Sequence, residues 1–284
     1  MKLFSPGNGS FFLATLGILF AANRFSRAGA APPEGYTPAW ADEFDAPSLD
    51  TNKWIHWQPG PRRDAVNAPG AVSLTNGCLT ITSYTKADRH FTGMISTQGR
   101  FELVHGYWEA RIRFDDLPGM WSAFWLQSPT MGRPVGDPAK AGIEIDICEH
   151  RVVGKTGENL APKVQHTLHW DGYGESHKSK AQLTPEMKLD SGFHVYGFEW
   201  TDSAYRFYVD GKLTWTVTEA ISHTNEFAIL SSEIKDRDWA GRIPAGGYGN
   251  RSASKTKMVV DYVRYYSRSS GHQTRCEVSA RPPE

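Results

Sequence analysis

The sequence predicts an all-β chain, an antiparallel sandwich or barrel, and three observations carry that expectation. Short runs rich in β-branched and aromatic residues recur about every ten positions from Trp40 onward. Asn76-Gly77 and Asp210-Gly211 stand between such runs, and both dipeptides suit the type I′ turn of a tight hairpin. No long helical period interrupts the pattern.

Residues 1–30 read differently. They contain Lys2, Arg24 and Arg27, no acidic residue, and the apolar run Phe11 to Ala22, ending in the small-x-small triplet Ala28-Gly29-Ala30. That is the layout of a cleaved export signal, which places the mature chain outside the cell or in a periplasm. Twelve apolar residues are short for a membrane span of about 20, so a permanent N-terminal anchor is the weaker reading and no stable membrane association is expected after cleavage.

The whole chain balances 31 Lys and Arg against 31 Asp and Glu; without the three N-terminal bases it would be about three charges negative. Nucleic acid is therefore not an expected partner. Three cysteines, Cys78, Cys148 and Cys276, are too few for a disulfide scaffold, and no clustered histidine motif suggests a zinc hydrolase.

Strands are expected in order at Ala71 to Leu74, Cys78 to Ser83, Tyr107 to Phe114, Trp121 to Leu126, Ile143 to Glu149, Val164 to Trp170 and Phe193 to Trp200. Tyr205 to Val209, a following run from Lys212, Phe227 to Ser231 and Met258 to Tyr266 complete the set. Met131 to Ala141 and Ala240 to Thr256 read as Gly/Pro/Ser-rich loops. One domain, about 36–266, and a polar tail, 267–284, are the economical division; a monomer is expected.

The densest chemistry lies in G-I-E-I-D-I-C-E-H, residues 142–150. Strand alternation puts Glu144 and Asp146 on one face and Ile143 and Ile145 in the core. Glu149 falls at odd parity, where its carboxylate would enter the core at high cost. One extra residue, a β-bulge around Ile147 and Cys148, returns it to the face of the other two acids. Three like charges along one strand oppose folding, so the arrangement calls for a chemical use. Retaining glycoside hydrolysis needs one ionised and one protonated carboxyl close together, and crowded charges split their proton affinities.

E-I-D-I-C-E resembles the E-x-D-x-x-E signature of glycoside hydrolase family 16, in the branch with a bulged catalytic strand. W-A-D-E-F-D (40–45), G-R-F-E-L-V-H-G-Y-W-E-A-R-I-R-F (99–114), W-S-A-F-W-L (121–126), F-H-V-Y-G-F-E-W-T (193–201), Y-V-D-G-K (208–212) and V-D-Y-V-R-Y-Y (260–266) are similar to family segments in the same order. The resemblance implies a β-jelly-roll sandwich with a concave substrate cleft. It implies Glu144 as nucleophile, Glu149 as acid/base and Asp146 as the assisting acid between them. The expected activity is endo-cleavage of internal β-1,3 or β-1,4 linkages in a β-glucan or galactan, with no catalytic cofactor. A transglycosylase of the same family and a lectin-like binding module are the alternatives; the latter has no need of both Glu144 and Glu149.

Parity places Trp121 and Trp125 opposite Phe124 and Leu126, so the two indoles are expected to face the cleft as sugar-stacking surfaces. His169 matches a family histidine near the acid/base better than His166 does. Arg63 and Asn67 resemble polar residues on the glycone side. Glu233 stands where glucan-cleaving relatives usually carry a segment resembling N-L-A-V-G-G, which opens a galactan as substrate. The resemblance also implies a structural Ca²⁺ on the convex side, with Asp261 and Glu43 as candidate ligands; the competing use of Asp261 is an ion pair with Arg264.

Overall fold

The computed structural model describes residues 32–189 and 192–268. Residues 1–30, where an export signal is expected, and residues 269–284 of the polar tail lie outside the described residues. Ser267 and Arg268 are instead the end of the last strand.

In chain order the strands are β1 Tyr36–Asp42, β2 Ile55–His56, β3 Gly60–Arg62, β4 Ala65–Asn67, β5 Val72–Thr75, β6 Cys78–Thr82 and β7 Tyr84–Lys86. There follow β8 Arg89–Thr92, β9 Met94–Ser96, β10 Glu102–Leu103, β11 Gly106–Asp115, β12 Met120–Gln127, β13 Glu144–His150 and β14 Gln165–Trp170. The last six are β15 Lys178–Leu183, β16 His194–Trp200, β17 Tyr205–Val209, β18 Lys212–Val217, β19 Glu226–Ile234 and β20 Lys257–Arg268. One short helix, Pro138–Ala141, breaks the loop expected at 131–141; Asp137 caps it by accepting from the Lys140 N–H.

Two eight-stranded antiparallel sheets face each other. The first runs β18-β17-β16-β11-β20-β6-β5 with β1 added to β20; the second runs β15-β14-β13-β12-β19-β9-β2 with β10 added to β19. The all-β sandwich expected from the turn spacing is thus the fold. Both hairpins form as the dipeptides require, with Asn76, Gly77, Asp210 and Gly211 all at positive φ.

Alternation sorts the side chains. Trp108, Ile112, Phe198, Trp200, Phe124, Ile145 and Leu230 point between the sheets and are fully buried in one core. Burying side chains of this size stabilises by roughly 1.5–3 kcal/mol each before entropy is counted. A third sheet, β3-β4-β8-β7, was not legible in the sequence because its strands are three or four residues long; it contains the parallel pair β4–β8. Among the described residues no helix is long and apolar enough to cross a membrane.

Candidate active site

The outer face of the second sheet bears a cavity of about 910 Å³, floored by β12, β13, β14 and β19. On β13, Glu144, Asp146 and Glu149 line it while Ile143, Ile145, Ile147 and Cys148 are buried on the other side. The bulge produces this arrangement. Toward β12 the register runs Phe124↔Cys148 and then Trp125↔Asp146, skipping Ile147; toward β14 it jumps from Asp146↔Thr167 to Glu149↔Gln165. Ile147 and Cys148 both pack into the core, so one added residue restores the parity of Glu149.

The carboxyls have different neighbours. Glu144 Oε2 accepts from Gln127 Nε2 at 3.0 Å and from the Tyr173 hydroxyl, and His169 Nε2 lies 3.8 Å from its other oxygen. Burial pushes the Glu144 carboxyl up, while His169 and the Tyr173 and Gln127 hydrogen bonds pull it back toward the ionised form. Asp146 sits 3.4 Å from His169 Nε2; burial first, then the Glu144 and Glu233 charges, raise it well above the usual range. Glu149 Oε2 accepts from Thr167 Oγ1 at 3.0 Å, and burial followed by the Asp146 charge raises it well above the usual range too. Behind it runs a relay: Arg151 Nη2 donates to Gln165 Oε1 at 3.1 Å, and Gln165 Nε2 donates to Thr167 Oγ1 at 3.2 Å. Nucleophilic attack needs an ionised carboxylate and leaving-group protonation a neutral one, and these two environments separate in that direction.

The other sequence-derived candidates divide. Trp121, Trp125, His169, Arg63 and Glu233 line the cavity; Asn67 does not. Asn67 is buried, and its amide donates to the carbonyls of Trp57 and Gln58, so it holds the loop that carries those residues instead of touching the cleft. Trp121 lines the cavity but its indole is buried: the Arg63 guanidinium lies 5.0 Å above its ring and Trp239 meets it edge-on at 5.2 Å, which leaves little free face for a sugar to stack on. Trp125 donates from Nε1 to Ser231 Oγ and stands edge-on to Trp57. Glu233 accepts from both Arg62 and Arg63, one carboxylate between two guanidiniums. It is therefore a clamp on two cations.

Trp57, Arg62, Gln127, Tyr173, His177 and Trp239 also line the cavity and were missed. Of these, Gln127 was within reach, since it continues the Trp121–Trp125 parity to the end of β12.

The expected calcium ligands do not fit a Ca²⁺ site. Asp261 Oδ2 accepts from Arg111 Nη1 at 2.7 Å, and Glu43 accepts from Nε and Nη2 of Arg264 at 2.8 and 2.9 Å. Each carboxylate is thus committed to an arginine, whereas calcium requires 6–8 oxygens free to turn toward it.

A jelly roll with three carboxyls across an aromatic-walled groove defines the glycoside hydrolase class of this fold. The chain belongs to glycoside hydrolase family 16: residues 36–268 match the family model described as the GH16 domain of β-porphyranases A–D. It is 31% identical over 207 residues to β-porphyranase E of Zobellia galactanivorans, covering 65% of this chain and 71% of the relative. It is 26% identical over 240 residues to the endo-1,3-1,4-β-glycanase ExsH of Rhizobium meliloti, covering 80% of this chain but 46% of the relative. The chain thus spans about half the length of that glycanase. Among solved structures, the endo-β-1,3-glucanase of Pyrococcus furiosus superposes with a TM-score of 0.65 at 25% identity, over 83% of this chain and 96% of that one.

Proposed function

We propose that the protein is an endo-acting, retaining glycoside hydrolase that cleaves internal β-1,3 or β-1,4 linkages of a polysaccharide. The observation that carries this reading is the contrast in hydrogen bonding along β13. Two side-chain donors, Tyr173 and Gln127, hold one oxygen of Glu144, whereas Glu149 has Thr167 and the negative charge of Asp146 beside it. In this scheme the oxygen of Glu144 not held by Tyr173 and Gln127 attacks the anomeric carbon, and Glu149 gives its proton to the departing glycosidic oxygen. Water, deprotonated by Glu149, then releases the covalent sugar from Glu144. Asp146 and His169 exchange hydrogen bonds and charge with both partners.

A galactan is the favoured polymer. The family model that matches is the porphyranase one, and Arg62 and Arg63 flank the cleft where the glucan-type segment is replaced. The apolar segment in residues 1–30 supports export, and action as a monomer on an extracellular polymer completes the proposal.

Proton NMR of the first products from a panel of galactans and β-glucans tests the scheme. A β-anomer released first, with Glu144→Gln and Glu149→Gln each losing at least about 100-fold in kcat, is the expected result. An initial α-anomer, or near-normal turnover of Glu149→Gln on polysaccharide, overturns it.

A further inference from the structure

A bulge gains parity at a cost in hydrogen bonding. Neither neighbouring ladder pairs Ile147, and opposite it on β14 a single residue, His166, faces the two residues Ile147 and Cys148. The side chain of that residue supplies what the ladder lacks. His166 is fully buried, and its Nδ1 lies 2.6 Å from the Ile147 carbonyl oxygen. A carbonyl only accepts, so Nδ1 carries the proton. On the far side of the ring, Nε2 lies 2.9 Å from Thr214 Oγ1, which belongs to β18 on the facing sheet; with Nδ1 protonated Nε2 accepts, so the Thr214 hydroxyl shares its one proton between Nε2 and the Phe207 carbonyl, also at 2.9 Å. The ring itself packs against Phe207 at 4.8 Å and lies parallel to Trp215. Burial lowers the His166 pKa to about 4, so the imidazole is neutral where carboxyl chemistry runs and keeps this single tautomer.

From this geometry we infer that His166 is a positioning residue for the acid/base: it ties the bulged carbonyl of β13 across the core to Thr214 and so fixes the direction in which Glu149 faces. The inference rests on the reading of Glu149 as proton donor. His166 touches no substrate. It points away from Gln165 and Thr167, its neighbours on β14 that line the cleft. Its effect is confined to one step, because Glu144 and Asp146 precede the bulge and keep their register with β14 through Glu144↔His169 and Asp146↔Thr167.

That confinement separates positioning from general stability. A sugar with a dinitrophenolate leaving group departs without a proton, so a misplaced acid is little felt, whereas a native polysaccharide needs the proton. The experiment compares kcat/KM on the polysaccharide with the glycosylation rate on a dinitrophenyl β-glycoside of its oligosaccharide, for wild type, His166→Leu, His166→Asn, Thr214→Val and Glu149→Ala.

His166→Leu is expected to lose about 100-fold on polysaccharide, the lower end of a general acid's contribution, and less than about 5-fold on the activated glycoside. His166→Asn, whose amide N–H stands where Nδ1 stood, should recover most of the loss. Thr214→Val should show a smaller loss with the same selectivity for the unactivated substrate.

Equal losses on both substrates, or no loss for His166→Leu, overturn the inference. If His166→Leu does not fold, Thr214→Val and His166→Asn decide it: a Thr214→Val loss that ignores the leaving group, or a His166→Asn as impaired as Glu149→Ala, refutes it. Should Glu149→Ala itself show no leaving-group dependence, the acid/base assignment has failed, and not the positioning role alone.

Discussion

Replacing Glu226 by Gln should stabilise the protein increasingly as pH rises. Glu226 begins β19, is fully buried, and one of its oxygens accepts from the Ile143 N–H at 3.1 Å, one residue before Glu144. Burial, opposed by that hydrogen bond, pushes its carboxyl from 4.5 up to about 8. Between those values the folded chain binds a proton that the unfolded chain has lost, so stability falls as pH rises through the window and the full penalty is reached above about 8. At 1.36 kcal/mol per pH unit the span from 4.5 to about 8 amounts to about 5 kcal/mol, of which about 4 kcal/mol falls between pH 5 and 9. Glutamine keeps the acceptor for Ile143 and removes the titration. The other buried acids of the cleft also favour low pH, so the informative quantity is the difference between variant and wild type. Urea unfolding at pH 5 and pH 9 measures it. A difference that is the same at both pH values refutes the reasoning, because Glu226 would then not titrate on unfolding in that range.

Three further outcomes follow from the cleft. Tyr173→Phe removes a donor from Glu144 and leaves burial to raise its pKa; the acid limb of the pH–rate profile should move up by about one pH unit, the worth of one hydrogen bond of ~1.4 kcal/mol, with a flat response excluding the contact. Glu233→Gln leaves Arg62 and Arg63 without their shared carboxylate; since both arginines are partly solvated, a loss of about 2 kcal/mol is expected in urea unfolding, and a neutral change would mean that the clamp contributes nothing. Deleting Ile147 leaves E-I-D-C-E-H, which alternates regularly and keeps Glu149 on the cleft face and His150 at its 2.8 Å contact with Asp116; the variant should fold and lose less activity than Glu149→Gln, while Cys148→Ser keeps the backbone count and most activity. A deletion variant that unfolds, or that is as inactive as Glu149→Gln, would show that the bulge does more than correct parity.

What could be read from sequence was whatever obeys a local period. The expected strands fell within one or two residues of their observed ends, except that β19 runs three residues past Ser231, and Glu149 at the wrong parity was enough to expect an extra residue near 147 and 148. Residues that reach the cleft from turns obey no such rule. Tyr173 arrives over Glu144 because Asp171 and Gly172 both adopt positive φ and reverse the chain after β14, and Asp171 is pinned by Lys178 and the Gly136 N–H. Nothing in the spacing of His169 and Tyr173 announces that contact. Ion-pair partners were equally illegible: against β11 the register of β20 skips Asp261, so Asp261 and Arg264, three residues apart, both reach the outer face, where Asp261 meets Arg111 and Arg264 meets Glu43 from the segment after β1.

The little β3-β4-β8-β7 sheet has a consequence for how such a protein changes over generations. It brings Arg62 to the cleft and, at its first turn, Arg63 with φ of 51°, yet its strands pair with neither large sheet. The acids sit inside the second large sheet, with β12 and β14 paired on either side of β13, while Arg62 and Arg63 ride on the separate small sheet. Substitutions on the small sheet can therefore reshape the rim of the cleft while the ladder that holds the three acids keeps its register.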